Sequence, residues 1–191
     1  FPQYYAQRLA DMVKVWRDLW GLGEMPFYEV ELAPFTYGGD GTTGARIREA
    51  QHKAVELIPG SGIASINDLA YPYEYDEIHP RRKKEVGERL SYLALNRTYG
   101  MDYLPCEGPR FKSYEVRGGE IEVAFYNGES GFSPWHDIVG FEIAGEDKVF
   151  HPAKIRRGTQ LNTVIVKSDK VPAPVAVRYC FRDFQVGNFT G

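Results

Sequence analysis

The sequence predicts an α/β fold followed by an all-β region, and two observations lead to this prediction. Residues 1–100 read in the order helix, strand, helix, strand, helix, which is typical of a parallel sheet covered by helices. From Lys112 onward, apolar residues alternate with a period of two. The pattern changes in the proline- and glycine-containing stretch Met101–Phe111. We therefore predict one domain over 1–104 and a β-rich, sandwich-like domain over 105–191.

The first helix is predicted over Tyr4–Trp20, because apolar residues recur there at spacings of three and four. Gly21 and Gly23 follow and would end the helix. The apolar stripe is interpreted as a face that packs on the core. Its members are Tyr5, Leu9, Met12, Val13, Trp16, Leu19 and Trp20.

The remaining elements of the first domain follow from the same patterns. Strands are predicted over Phe27–Ala33 and Gly62–Ala70, and helices over Gly44–Leu57 and Arg81–Tyr99. The glycine-rich loop Pro34–Thr43 lacks the P-loop and dinucleotide-binding spacings, so it is interpreted as a flexible loop at a strand end. Substrate contact through Phe35 and Tyr37 is the alternative interpretation of that loop.

Two strands do not form a stable sheet of this class alone. The first domain is therefore predicted to be the C-terminal half of a larger α/β domain, whose N-terminal half is absent or supplied by another chain. In the second domain, Asn127-Gly128 is a strong turn signal. Strands are predicted there over Glu120–Asn127, Phe141–Ile143, Lys148–His151, Thr163–Lys167 and Val175–Phe181.

Composition excludes some classes of partner. The net charge of −3 gives no basic face for a nucleic acid, and no stretch is apolar enough to span a bilayer. Cys106 and Cys180 are predicted to be buried thiols, with one disulfide bridge as the alternative. The histidines show no metal-ligand spacing, so no metal site is expected, and His52 is predicted to be solvated. These histidines are His52, His79, His136 and His151.

The candidate for chemistry is the stretch Asp76-Glu77-Ile78-His79-Pro80, between the second strand and the third helix. A carboxylate such as Asp76 can accept a hydrogen bond from one imidazole nitrogen and leave the other free as a base. Pro80 suits the first position of the following helix. Because this spacing is common, an ordinary helix flank is the alternative interpretation of His79.

A hydrolase that uses this pair needs a nucleophile. Ser130 lies in Gly-Glu-Ser-Gly, but Phe132 follows where a nucleophile elbow has glycine, and the context is a hairpin turn. Ser61 and Ser65 are interpreted as structural. No serine of the chain is therefore predicted to act as the nucleophile.

Several segments, in the same order over nearly the whole chain, resemble sialate O-acetylesterases of the SGNH hydrolase superfamily. They are Trp16–Gly21, Pro26–Tyr28, Leu32–Phe35, Arg48–Gln51, Ile78–Pro80, Phe141–Gly145 and Pro172–Tyr179. The resemblance implies the C-terminal half of a flavodoxin-like α/β/α catalytic domain, followed by the β-sandwich-like region. It also implies a Ser-His-Asp esterase that removes O-acetyl groups from sialic acids or related sugars, with no metal or organic cofactor.

Asp76 and His79 match the superfamily's last block, Asp-x-x-His, with Glu77 and Asp68 as alternative acidic partners. The serine, glycine and asparagine blocks of the family would precede Phe1. The resemblance therefore implies two partners, an acetylated sugar as substrate and the remaining N-terminal part of the catalytic domain.

Two alternatives to the sialate esterase remain open. One is an acetylxylan-type esterase. The other is a non-catalytic carbohydrate-binding fragment, whose aromatic residues Tyr71, Tyr73, Tyr75 and Trp135 would stack on sugar.

Overall fold

The computed structural model describes residues 2–134 and 137–190, and it divides the chain into two units. The first unit runs to Cys106 and also includes Arg182–Phe184. The second unit contains the rest of the chain after Cys106. The prediction placed a single boundary after residue 104 and did not foresee that Arg182–Phe184 would return to the first unit.

The first unit is a mixed α/β arrangement, in the predicted order of elements. It contains α1 (Pro2–Trp20), β1 (Phe27–Val30), α2 (Thr43–Leu57), β2 (Ser61–Ala64) and α3 (Lys83–Arg97). The two strands pair in parallel from their first residues, and α2 forms the crossover between them. The mixed α/β class expected from the alternating pattern is confirmed.

Both strands are shorter than predicted, because side chains take over the backbone hydrogen bonds beyond each strand end. After β1, the Leu32 amide donates to Gln51 Oε1 at 2.7 Å. After β2, the Ile66 amide donates to Glu31 Oε2 at 3.1 Å. Buried backbone groups need such partners, and here they are not on a neighbouring strand.

The third helix begins at Lys83, so the prediction that Pro80 occupies its first position is wrong. Pro80 is buried and precedes a turn in which the Lys83 amide donates to the Arg81 carbonyl at 2.8 Å. The Arg81 amide donates to Glu74 Oε1 at 3.3 Å instead of joining the helix. This turn adds two residues to the segment that carries His79.

Only part of the apolar stripe on α1 packs as predicted. Val13 is 2% exposed and packs with Ala54 of α2 and with Ile58. Leu19 and Trp20, however, are 78% and 57% exposed. Other exposed apolar residues of the helix are Tyr4, Met12, Val15 and Trp16. The stripe is therefore a core face at Val13 and a solvent-facing apolar surface over its C-terminal half.

Helix α3 packs on both strands, and Leu93 and Arg97 of this helix lie close to Gly62 of β2. A Cβ at Gly62 would lie 3.0 Å from Leu93 Cδ2, so only glycine leaves room for that fully buried leucine.

The second unit consists of two antiparallel sheets. Its strands are β3 (Arg110–Arg117), β4 (Glu120–Tyr126), β5 (Phe141–Ala144), β6 (His151–Pro152), β7 (Lys154–Arg157), β8 (Thr163–Lys167) and β9 (Ala176–Tyr179). One sheet has the order β3-β4-β8-β7 and the other β6-β5-β9. Buried side chains of β4 and β8 form one core with those of β5. They are Ile121, Val123, Phe125, Phe141, Ile143, Val164 and Val166.

Two strand predictions in this unit are corrected. β6 covers only His151–Pro152 rather than Lys148–His151. β7 was missed, because three of its four residues are basic, as is common on the exposed edge of a sheet.

Cys106 and Cys180 form no disulfide, and Cys180 is buried while Cys106 is half-buried. Among the residues described by the structure, no helix has the length and apolar character needed to cross a membrane.

Candidate active site

Two loops meet at the edge of the sheet where the parallel strands end. The Thr36 amide and hydroxyl both donate to the Tyr75 carbonyl, at 3.1 and 2.7 Å. The glycine-rich loop after β1 therefore contacts the segment 71–81 after β2, which we call the His79 loop. In open α/β sheets, ligands bind at the carboxyl ends of the strands.

Glu74 anchors the His79 loop at both of its ends. Its side chain is only 2% exposed. Oε2 accepts the Tyr71 amide at 2.8 Å, and Oε1 accepts the Arg81 amide at 3.3 Å. A buried carboxylate requires such donors, so the loop closes around it. Glu74 could not be recognised from the sequence, because nothing local distinguishes it from a solvated loop glutamate.

His79 lies near the tip of this loop, and its side chain is 81% exposed. Glu77 Oε1 lies 3.2 Å from His79 Nδ1 and accepts the His79 amide at 2.9 Å. A carboxylate at Nδ1 favours the tautomer in which Nδ1 carries the proton, which leaves Nε2 as a base. The same hydrogen bonds from His79 lower the pKa of Glu77, so this carboxylate stays anionic.

The three acidic residues named from the sequence therefore have different surroundings. Glu77 contacts His79, whereas Asp68 forms a two-pronged ion pair with Arg89, with oxygen–nitrogen distances of 2.7 and 2.5 Å. Asp76 is exposed, and the hydrogen bonds of the His79 ring do not include it. The acidic role of Asp76 stays a prediction.

The glycine-rich loop is packed rather than open at its aromatic residues. The Tyr37 hydroxyl donates to the Ala33 carbonyl at 2.9 Å, and its ring lies edge-on to Phe35. The ring also covers Gly44, where a Cβ would come within 2.6 Å of it. Tyr37 is thus committed to the loop's own structure, which argues against the alternative of substrate contact through its hydroxyl.

A second histidine–carboxylate pair lies in the same unit. His52 Nε2 is 3.0 Å from Glu31 Oε1, and Glu31 is 5% exposed. The prediction that His52 is solvated is confirmed, because its side chain is 46% exposed, although one ring nitrogen also contacts a buried carboxylate. The partner is 21 residues away in the chain, which local sequence reading does not reveal.

The other candidates named from the sequence are the serines and the possible metal ligands. The Ser61 hydroxyl donates to the carbonyls of Val55 and Ile58, and Ser130 belongs to the second unit. Within residues 2–134 and 137–190, no group of three or more His, Cys, Asp and Glu is placed to hold a metal. Trp135 and His136 lie outside the described residues.

Comparison with known proteins gives a likeness to a solved structure. No protein-family model matches the chain, and no curated protein sequence matches it. Among solved structures, the chain is similar to a carbohydrate acetylesterase from Xanthomonas citri, with 36% sequence identity and a TM-score of 0.86. The match covers 98% of this chain and 43% of that enzyme, so the chain spans less than half of its length.

At this identity, the chain shares the fold of the matched part of a carbohydrate acetylesterase. The likeness supports the carbohydrate esterase class that the resemblance implies. Sialic acid as the substrate, the SGNH half-domain and the serine mechanism remain proposals.

Proposed function

We propose that this chain supplies the proton-transferring side of the active site of a carbohydrate esterase that removes O-acetyl groups from sugars. The observation that carries the proposal is the exposed His79 ring, held by Glu77 at the sheet edge where α/β folds bind ligands. The likeness to an acetylesterase over nearly the whole chain supports the reaction class.

The proposed reaction follows the serine hydrolase sequence. A serine from a part of the protein outside this chain attacks the acetyl carbonyl, and His79 Nε2 takes the serine proton. His79 then protonates the sugar oxygen as the ester bond breaks and the acyl-serine forms. The same nitrogen then takes a proton from water, which attacks the acyl-serine carbonyl, and it returns that proton to the serine oxygen as acetate leaves. The neighbouring carboxylate stabilises the imidazolium in both steps.

Glu77 is the better supported candidate for that carboxylate. It lies within hydrogen-bonding distance of Nδ1, and its lowered pKa keeps it charged. Asp76, which matches the Asp-x-x-His block, is the alternative candidate for this role.

The rest of the catalytic domain is the proposed partner of the first unit. The sheet of the first unit has two strands among the described residues, fewer than a stable sheet of this class needs. Trp16, Leu19 and Trp20 present apolar surface to water, which marks a surface that another part of a protein covers. Both features fit the C-terminal half of a flavodoxin-like domain of the SGNH type.

A chimera tests the proposal directly. Residues 1–191 would replace the matched segment of the Xanthomonas citri acetylesterase, and acetate release would be measured on acetylated xylan and on O-acetylated N-acetylneuraminic acid. We expect the chimera to release acetate and the lone chain to show little turnover, because the nucleophile lies outside it.

The two substrates separate acetylxylan-type from sialate-type activity. A folded chimera without activity on either would contradict the proposal. Robust turnover by the lone chain that Ser130→Ala abolishes would show that the nucleophile lies in the second unit. Circular dichroism of the chimera and of each variant controls for folding.

A further inference from the structure

Two tyrosines of the His79 loop form an exposed aromatic pair. The rings of Tyr71 and Tyr73 are nearly parallel, with an angle of 4° between planes and 5.3 Å between centroids. They are 41% and 58% exposed. Stacked rings in a core would be covered by other side chains, whereas a large part of each of these rings is exposed to water.

Each tyrosine of the pair is connected by a contact to the segment that carries His79. The Tyr71 amide is held by the buried Glu74 carboxylate, which also holds the Arg81 amide two residues after His79. The Arg81 guanidinium carbon lies 5.7 Å from the centre of the Tyr73 ring. The rings therefore keep a defined position relative to the His79 backbone rather than moving on a free loop.

The chemistry of the surface points to one class of ligand. Aromatic faces carry partial negative charge and attract the weakly positive C–H groups that line one face of a pyranose ring. The Arg81 guanidinium lies beside the Tyr73 ring, and the same loop carries the carboxylates Asp76 and Glu77 as well as the exposed Tyr75 and Ile78. Such a border suits a ligand that has hydroxyl groups around an apolar face better than a purely apolar partner.

We propose that the Tyr71–Tyr73 pair is a subsite that binds the pyranose ring of the acetylated sugar and presents its ester to His79. The part of this proposal that concerns His79 rests on the proposed esterase function. The binding of the sugar ring to the two tyrosines does not depend on it.

Saturation-transfer NMR on the 191-residue chain tests the subsite without requiring turnover. The probes are O-acetylated xylotetraose and O-acetylated N-acetylneuraminic acid, which share the pyranose ring and differ in charge. We expect Tyr71→Ala and Tyr73→Ala each to raise the dissociation constant roughly tenfold. Tyr73→Phe should bind as the wild type does, because stacking needs the ring and not its hydroxyl.

Tyr103→Ala is the matched control, since Tyr103 is a 76% exposed tyrosine of the first unit. It should bind both sugars as the wild type does. The binding readout needs no turnover, so a failed esterase with intact sugar binding would leave the subsite standing.

Equal binding by the wild type and both alanine variants would overturn the proposal. A loss of binding in Tyr73→Phe would replace stacking by a hydroxyl contact and would likewise contradict it. Binding of only the anionic sugar, lost in Arg81→Ala but kept in Tyr71→Ala, would show a charge site instead of an aromatic one.

Discussion

The first unit contains two histidine–carboxylate pairs with nearly equal distances and very different surroundings. His79 lies 3.2 Å from Glu77 and His52 lies 3.0 Å from Glu31. Glu31 is buried, and its second oxygen holds the Ile66 amide. Glu77 lies on a loop, and its Oε1 accepts both the amide and the ring nitrogen of His79.

The difference shows that distance alone does not identify a catalytic pair. Glu31 joins α2 to the loop after β2, so its bonds hold separate elements together. Glu77 joins only neighbouring residues and positions an exposed ring. A base must reach its substrate, and the ring of His79 is 81% exposed against 46% for His52.

The largest expected difference between the pairs is in catalysis. In the chimera, His79→Ala should lower kcat about a thousandfold, since a general base contributes roughly 10² to 10⁴ in rate. His52→Ala should stay within about twofold of the wild type, because a surface change away from the reacting groups has little effect. Acetate release at saturating substrate measures both. Equal losses would mean that the exposed pair has no special role.

The next difference is in stability, where the Glu31 pair should matter more than the Glu77 pair. Glu31→Gln should lower the free energy of unfolding by about 1–3 kcal/mol, because it leaves a buried donor or acceptor unsatisfied. Glu77→Gln should lower the unfolding midpoint by less than Glu31→Gln does, because the Glu77 side chain is 46% exposed. Urea unfolding followed by far-ultraviolet circular dichroism reports mainly on the three described helices, which all lie in the first unit. A midpoint that fell only in Glu77→Gln would reverse our interpretation.

Glu122, a buried carboxylate of the second unit, predicts how stability depends on pH. Glu122 is 5% exposed and accepts hydrogen bonds from the Thr159 amide and hydroxyl and from the Thr163 hydroxyl. Burial alone would raise its pKa, but these bonds and the nearby Arg117 charge lower the pKa below its ordinary value of 4.5.

A lowered pKa means that Glu122 stabilises the folded state fully above pH 4.5, and that this stabilisation is lost as pH falls through the folded pKa. Glu122→Gln should therefore be less stable than the wild type near neutral pH by about 1–3 kcal/mol. The gap should shrink at more acidic pH. Intrinsic fluorescence during urea unfolding at a series of pH values measures it, and a gap independent of pH would show that the ionised form is not the stabilising one.

The smallest expected difference is in kcat between variants of Glu77 and Asp76, and it tests which carboxylate supports His79. In the chimera, Glu77→Gln should reduce kcat about tenfold and Asp76→Asn less than about twofold, because only Glu77 holds the ring. Both changes keep side-chain size, so each serves as the control for the other. A larger loss in Asp76→Asn would mean that the loop rearranges around bound substrate and that the prediction from spacing is right.

Features that depend on neighbouring residues could be predicted from the sequence. The apolar stripes of α1 and α2, the glycines that follow α1, and the apolar alternation in β4 all lie within a few residues of one another. The same holds for the position of His79 between β2 and α3. Helix and strand periods are local properties, so these elements appear close to where the pattern places them.

The sequence by itself determined the order of the elements in the first unit, the mixed α/β class and a histidine next to several carboxylates. Tertiary structure alone decided that Glu77 contacts the ring, that Glu31 pairs with His52, and that Glu74 holds both ends of the loop. It also decided that Trp16 and Leu19 face water, although their spacing is that of a core face. The physical reason is that burial and hydrogen-bond partners depend on which distant segments meet, and a helical period says only which residues share a face.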